Sequence, residues 1–311
     1  MKWKTIGFGC LTCTALFFFF RYYCYDLYRR QEELQFFIPQ WQFFKDTLLL
    51  PGGCCSVFGQ WITQYYHYPL LALLFNTLLL CCIGYFCHAL LQRSAVRDYN
   101  YLLALIPVVG LSKMHLSLNY AVAGTIGLCL MMGCLWGYSR VREKRMRLLY
   151  GMVSMLAVYL LAGPLALPYT LLLLLYNALH RLGGWKYAWL PVVVAAGLTW
   201  LGTCLTLYMP LREGLRPEAF HEAQVRPDSY IYYVWIRFAI VVGILLITGY
   251  LLKKILWLQW WRKILATGIA LIALIAAVGV CMPDAGNVQN RKIYRLMTLA
   301  QQKKWDRIIS D

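Results

Sequence analysis

Apolar stretches of about 20 residues recur along the whole chain, and no other feature limits its fold as strongly. At 1.5 Å of helical rise per residue, such a stretch matches a bilayer hydrocarbon core of roughly 30 Å. Backbone in lipid has to satisfy its own hydrogen bonds, so stretches of this length are read as helices. Only 14% of the residues are charged and 61% are hydrophobic, whereas a soluble domain carries about 25% charged residues. The pattern predicts an all-α fold: a polytopic integral membrane helical bundle.

Nine transmembrane helices are expected, at about 5–25, 66–91, 98–112, 116–138, 148–165, 167–182, 188–209, 232–252 and 264–282. The third is short and contains Pro107; the fifth and sixth are thin and flank Pro164 and Pro168. With Lys2 and Lys4 inside, the inner connections hold Arg93 and Arg97, then Arg140, Arg142, Lys144, Arg145 and Arg147. Arg181, Lys186, Lys253, Lys254, Arg262 and Lys263 complete that set, against which only Asp98 and Glu143 are acidic. The outer segments 21–65, 112–115 and 210–231 balance eight basic against eight acidic residues. The retention of cationic connections on the cytoplasmic side predicts an inner-membrane protein with its N-terminus in the cytoplasm and its C-terminus outside. The opening Met1-Lys2-Trp3-Lys4 and the apolar run to Phe20 resemble a signal peptide. No small-x-small cleavage site follows, which favours an uncleaved first span.

This topology divides the chain into a transmembrane domain over 1–282, with outer loops 26–65 and 210–231, and a soluble helical tail over 283–311. Function is therefore expected at the outer face. The stretch from Arg30 to Leu50, dense in Phe and Trp and interrupted near Pro39, reads as an interfacial helix at headgroup level. Pro51-Gly52-Gly53 ends it, because proline cannot continue a helix and glycine accepts the turn. In the tail, Ile293, Leu296, Met297, Ala300, Trp305, Ile308 and Ile309 recur at roughly helical spacing, which predicts a short amphipathic helix that must pack on something.

Several function classes drop out. The net charge of +17 lies in short connections rather than on one water-exposed face, so nucleic acid is not an expected partner. The twelve cysteines fall mostly in apolar runs, where Cys acts as a small hydrophobe. His67, His88, His115 and His180 show no metal-ligand spacing and read as interfacial residues, so neither metal nor cofactor is expected. The spans hold no internal Asp or Glu, which weighs against an ion-coupled transporter. Asn76, Asn119 and Asn177, and the GxxxG of Gly133 and Gly137, read as helix packing, within or between chains.

Two sets of residues could carry chemistry. Asp26, Glu32 and Glu33 follow the first span beside many aromatic rings, and one of them is a candidate general base towards a sugar hydroxyl. The plain alternative is a solvated charge set balancing Arg29 and Arg30. Arg237, a turn or so into the eighth span, is a candidate cation for a lipid-linked phosphate, against the plain reading of a snorkelling side chain.

Glu33-Leu34-Gln35-Phe36-Phe37, then Pro51-Gly52-Gly53, then Gly59-Gln60-Trp61-Ile62-Thr63-Gln64-Tyr65-Tyr66 resembles an uncharacterised multi-pass membrane protein family of Bacteroidales, a domain of unknown function. The tail from Tyr294 through Ala300-Gln301 and Trp305-Asp306 to Ile308-Ile309 resembles that family's first soluble helix, as in a shortened member. The resemblance implies no activity. A weaker likeness of layout is to multi-pass glycosyltransferases that use lipid-linked sugars, with Glu33 or Asp26 matching by position alone. Three functions follow: an envelope membrane protein docking an envelope partner through its outer loops or tail, a glycosyltransferase-like or lipid-modifying enzyme, and, third, a transporter.

Overall fold

The computed structural model describes residues 2–34, 37–94, 100–118, 120–180, 190–201 and 234–255, single residues between 268 and 275, and 292–297 with 299–300. All regular structure among these is helical. The elements are α1 (Lys2–Tyr23), α2 (Tyr25–Leu34), α3 (Trp41–Leu48), α4 (Gly53–Gln64), a 3-10 turn (Tyr65–His67) and α5 (Pro69–Ser94). There follow α6 (Asn100–Met114), α7 (Val122–Arg140), α8 (Lys144–Ala162), a 3-10 turn (Gly163–Leu165), α9 (Ala166–His180), α10 (Leu190–Leu201) and α11 (Val234–Ile255).

Among the described residues three helices are long and apolar enough to cross a membrane: Pro69–Arg93, Val122–Arg140 and Lys144–Ala162. The third of these is one of the thin predicted spans. A fourth crossing arises if Gly7–Tyr23 and Tyr25–Glu33, bent by 69° at their junction, count as one. Asn100–Met114, Ala166–His180 and Trp235–Leu251 are apolar but shorter. The expected span 264–282 and the loop 210–231 lie outside the described residues, save for single helical positions between 268 and 275.

Ring contacts set the helix directions. At one end Phe8 and His88 both meet Tyr101, so the start of α1, the end of α5 and the start of α6 lie together. At the other end Phe20 meets His115 and Tyr28 meets Tyr66, bringing together the end of α1, the beginning of α2, the turn before α5 and the end of α6. Tyr85 and Phe86 contact Trp136, so α5 and α7 run the same way. The first end carries Arg93, Arg140, Arg142, Lys144, Arg145 and Arg147 and is called the basic end; the other is the α2 end. Phe20, Leu80, Met131, Met155 and Tyr169 are fully buried in the core between them.

One expectation for 26–65 needs correction. The helical stretch before Pro39 is α2, which starts at Tyr25 directly after the bend and packs on α5 and the Tyr65–His67 turn. Only α3, with no buried residue, matches a helix lying on a surface. Within the expected outer loop 26–65, residues 53–64 form α4, packed on α7 and α8. The fourth predicted span begins at Val122 rather than 116, because residues 115–118 turn and Ala121 is extended.

Glycine explains how α4 docks. Gly52 has φ +88°, a left-handed conformation that glycine adopts without a Cβ penalty, and its amide donates to the Leu160 carbonyl at 3.3 Å. Gly163, at φ +58°, lies against it: a Cβ on Gly163 would come within 2.7 Å of the Pro51 carbonyl oxygen. At Gly59 a Cβ would meet the Ala123 nitrogen at 2.8 Å, so α4 and α7 cross backbone to backbone. The Pro-Gly-Gly motif therefore ends α3 and also seats α4 on the α8–α9 break. The GxxxG glycines are internal as well: Gly133 faces the Phe86 ring and Gly137 the Tyr150 hydroxyl.

Candidate functional site

The α2 end gathers several buried polar groups. Gln31, one turn beyond Tyr28, is buried, and its Nε2 donates to the Ser117 carbonyl at 3.0 Å and the Tyr120 carbonyl at 3.5 Å. This ties α2 to the α6–α7 connection. The Asn76 Nδ2 donates to the Tyr66 hydroxyl at 2.7 Å and to the Ala72 carbonyl at 2.8 Å. His115, 1% exposed, places Nε2 at 3.0 Å from the Thr125 hydroxyl, which also lies 3.0 Å from the Tyr120 hydroxyl. Burial pushes the His115 imidazole down to about 3, so it is neutral at physiological pH. Gln31 Oε1, Asn76 Oδ1 and the Thr77 hydroxyl have no partner among the described residues. Buried polar groups are costly to leave unpaired, and at the basic end the Asn100 amide and His88 Nδ1 likewise have no partner among the described residues.

The three acids predicted as candidates share α2 and play different parts. Asp26 is in its first turn and partly buried. Glu33 is exposed and pairs with Arg30, as the plain reading of a balanced charge set expects. Glu32 reaches a second element: its Oε2 lies 3.7 Å from Nδ1 of His67, in the turn before α5. Partial desolvation raises the Glu32 carboxyl above its ordinary value; His67 draws it down, Glu33 raises it and Arg29 lowers it. Glu32 and His67 are 35 positions apart, and His67 read as one of several scattered interfacial histidines. No spacing signal marks the pair; the fold of α2 onto the turn makes it.

Arg237 is exposed on α11, whose main neighbours are α5, α6 and α9, so it does not join the acids of α2. Tyr294, from the tail, packs against the core and lies close enough to Arg30 to feel its charge, which brings the tail to the α2 end. Asn76 and Asn177 act as packing hydrogen-bond groups: Asn177 Oδ1 accepts from the Tyr138 hydroxyl at 2.9 Å, joining α9 to α7. Asn119 lies outside the described residues.

A second feature sits towards the basic end. A cavity of about 100 Å³ opens between α1, α5 and α6, lined among others by Phe8, Gly9, Thr12, Tyr85, His88 and Tyr101. His88 stacks on Tyr101 with ring centroids 4.3 Å apart and meets Gln92 Nε2 at 2.7 Å. The walls are mostly apolar, and no carboxylate among the described residues lines the cavity.

The fold and this end define an all-helical protein with several helices of membrane-crossing length and a polar group at one end. The chain matches a family of unknown function (DUF6057) over residues 1–311, and it belongs to that family. No curated protein and no solved structure matches it.

Proposed function

We propose that the chain is a multi-pass protein of the cytoplasmic membrane that works at its outer face through the α2 end. In this reading nine helices cross the bilayer, the basic end faces the cytoplasm, and the α2 end, the loop 210–231 and the tail lie outside. The observation that carries it is the division of charge. Arg93, Arg140, Arg142, Lys144, Arg145 and Arg147 crowd one end, while all the described Asp and Glu residues except Glu143 sit at the other. Positive charge is held on the cytoplasmic side during insertion. The nearness of Tyr294 to the Arg30 charge supports a tail on the same side as α2. The docking of an envelope protein partner on the outer loops and tail is the function this arrangement favours. A reporter fused after Asp311 is expected to be active outside the cytoplasm and one placed between Arg142 and Arg145 inside; the reverse result overturns the orientation.

A second reading, a glycosyltransferase-like or lipid-modifying enzyme, is favoured by the Glu32–His67 pair. A carboxylate beside an imidazole at a bilayer surface can take a proton from a hydroxyl and pass it on. Replacement of Glu32 by Gln, and separately of His67 by Ala, would then remove a glycan or lipid product from cells while leaving protein levels unchanged. Unaltered envelope glycans and lipids in both variants would leave the docking role. Transport is the third reading and has no carboxylate within the described helices of crossing length to support it.

A further inference from the structure

We infer that α4 is a re-entrant half-helix held within the outer leaflet, with lipid acyl chains as the partner of its exposed face. The inference rests on the membrane reading above. The first argument is that α4 is inside out relative to a helix in water. Its buried face is small and polar: Gly53, Cys55, Ser56, Gly59, Gln60 and Thr63. Its outward face is aromatic: Phe58 is 59% exposed, Trp61 43%, and Tyr65, just after its end, 38%. A surface helix facing water turns its apolar stripe to the core and its polar side outward. The opposite arrangement is stable where the surroundings are hydrocarbon. Gln64, the polar residue on the outward side, has its amide tied to the Phe37 carbonyl at 3.1 Å.

Charge and length agree. No residue from Gly53 to Tyr66 is ionic at neutral pH. Twelve residues span roughly 18 Å at 1.5 Å each, about half of a 30 Å hydrocarbon core. Non-spanning backbone at membrane depth is tolerated where protein buries it. Here the close approach of Gly59 to Ala123, and of Gly52 to Gly163, supplies that burial on the inner side. The segments on either side of α4 also expose apolar side chains, Trp41, Leu48, Leu49 and Leu50 before it and Tyr68, Leu70 and Leu71 after it. Exposure of that kind, bordering helices of membrane-crossing length, fits the same solvent that they meet.

The test uses the full chain in vesicles of phosphatidylethanolamine and phosphatidylglycerol, with a photoreactive benzoylphenylalanine placed singly at Phe58, Trp61, Leu78 or Thr63. Leu78 is a lipid-facing control on α5 and Thr63 a buried one. Phospholipid adducts are expected at 58 and 61 in a yield comparable with 78, and intramolecular adducts alone at 63. Lipid adducts at 78 without any at 58 and 61 overturn the half-helix and leave the membrane reading standing. An absence of lipid adducts at all positions removes both. A dimer or a foreign protein captured at 58 or 61 in place of lipid also overturns the inference. As an independent readout, the fluorescence lost in Trp61→Phe should be quenched by lipids brominated along their tails and not by aqueous iodide; quenching by iodide alone would contradict it.

Discussion

Gly163 shows how much a single position decides. At φ +58° and ψ −122° it sits in backbone space that side chains enter only with strain, and the Pro51 carbonyl closes the space a Cβ would need. Gly163→Ala should therefore cost about 1–3 kcal/mol. Gly110, in the middle of α6 with nothing within 4 Å of its missing Cβ, should respond the other way. Gly110→Ala is expected to gain roughly 0.5–1 kcal/mol by lowering the freedom of the unfolded helix. Thermal unfolding in detergent reads both. His115 makes a prediction for pH. Its folded value of about 3 lies far below an unfolded histidine near 6.5. Below pH 6.5 the unfolded chain takes up a proton that the buried ring refuses, so stability falls as the pH drops from there towards 3. The melting temperature should decline between pH 7 and pH 5, and His115→Gln should flatten that decline.

Among the elements, α4 holds the α2 end together because it touches α3, α7 and α8 at once. Its crossing with α7 at Gly59 leaves no room for a side chain, the Ala123 nitrogen lying 2.8 Å from the would-be Cβ. Gly59→Leu should wedge the two apart at a cost of about 1–3 kcal/mol or more and open the α3–α4 hairpin to limited proteolysis. The α7–α9 contact is weaker. Tyr138→Phe removes the hydroxyl that Asn177 accepts from, and interhelical bonds of this kind in membranes average about 0.6 kcal/mol. A loss near that size, read in an unfolding titration, is the expected result.

For the whole molecule, the proposed orientation depends on the basic end. Arg147 also has a local role: its guanidinium donates to the Val141 and Arg142 carbonyls and fixes the α7–α8 turn. Arg140, Arg142, Lys144 and Arg145 can be neutralised to Gln without touching those bonds. Protease protection in vesicles should then show a mixed population in place of a single orientation, because the positive charge that retains the turn is reduced.

The long apolar stretches, with lipid-length periodicity and basic connections, determined the helical class and the rough places of α1 and α5 to α11, since each depends only on local hydropathy and helix rise. Pro39 and Pro51-Gly52-Gly53 likewise announced the breaks around α3, because proline and glycine act on the backbone where they stand. What the sequence alone left hidden is what depends on contacts between distant segments. The pairing of Glu32 with His67, the packing of His115 against Phe20, and the seating of Gly52 on Gly163 join residues dozens to over a hundred positions apart. Residues 53–64 fell within the expected outer loop 26–65; the burial of their small and polar face on α7 and α8, with Phe58 and Trp61 turned outward, is visible only in the tertiary structure.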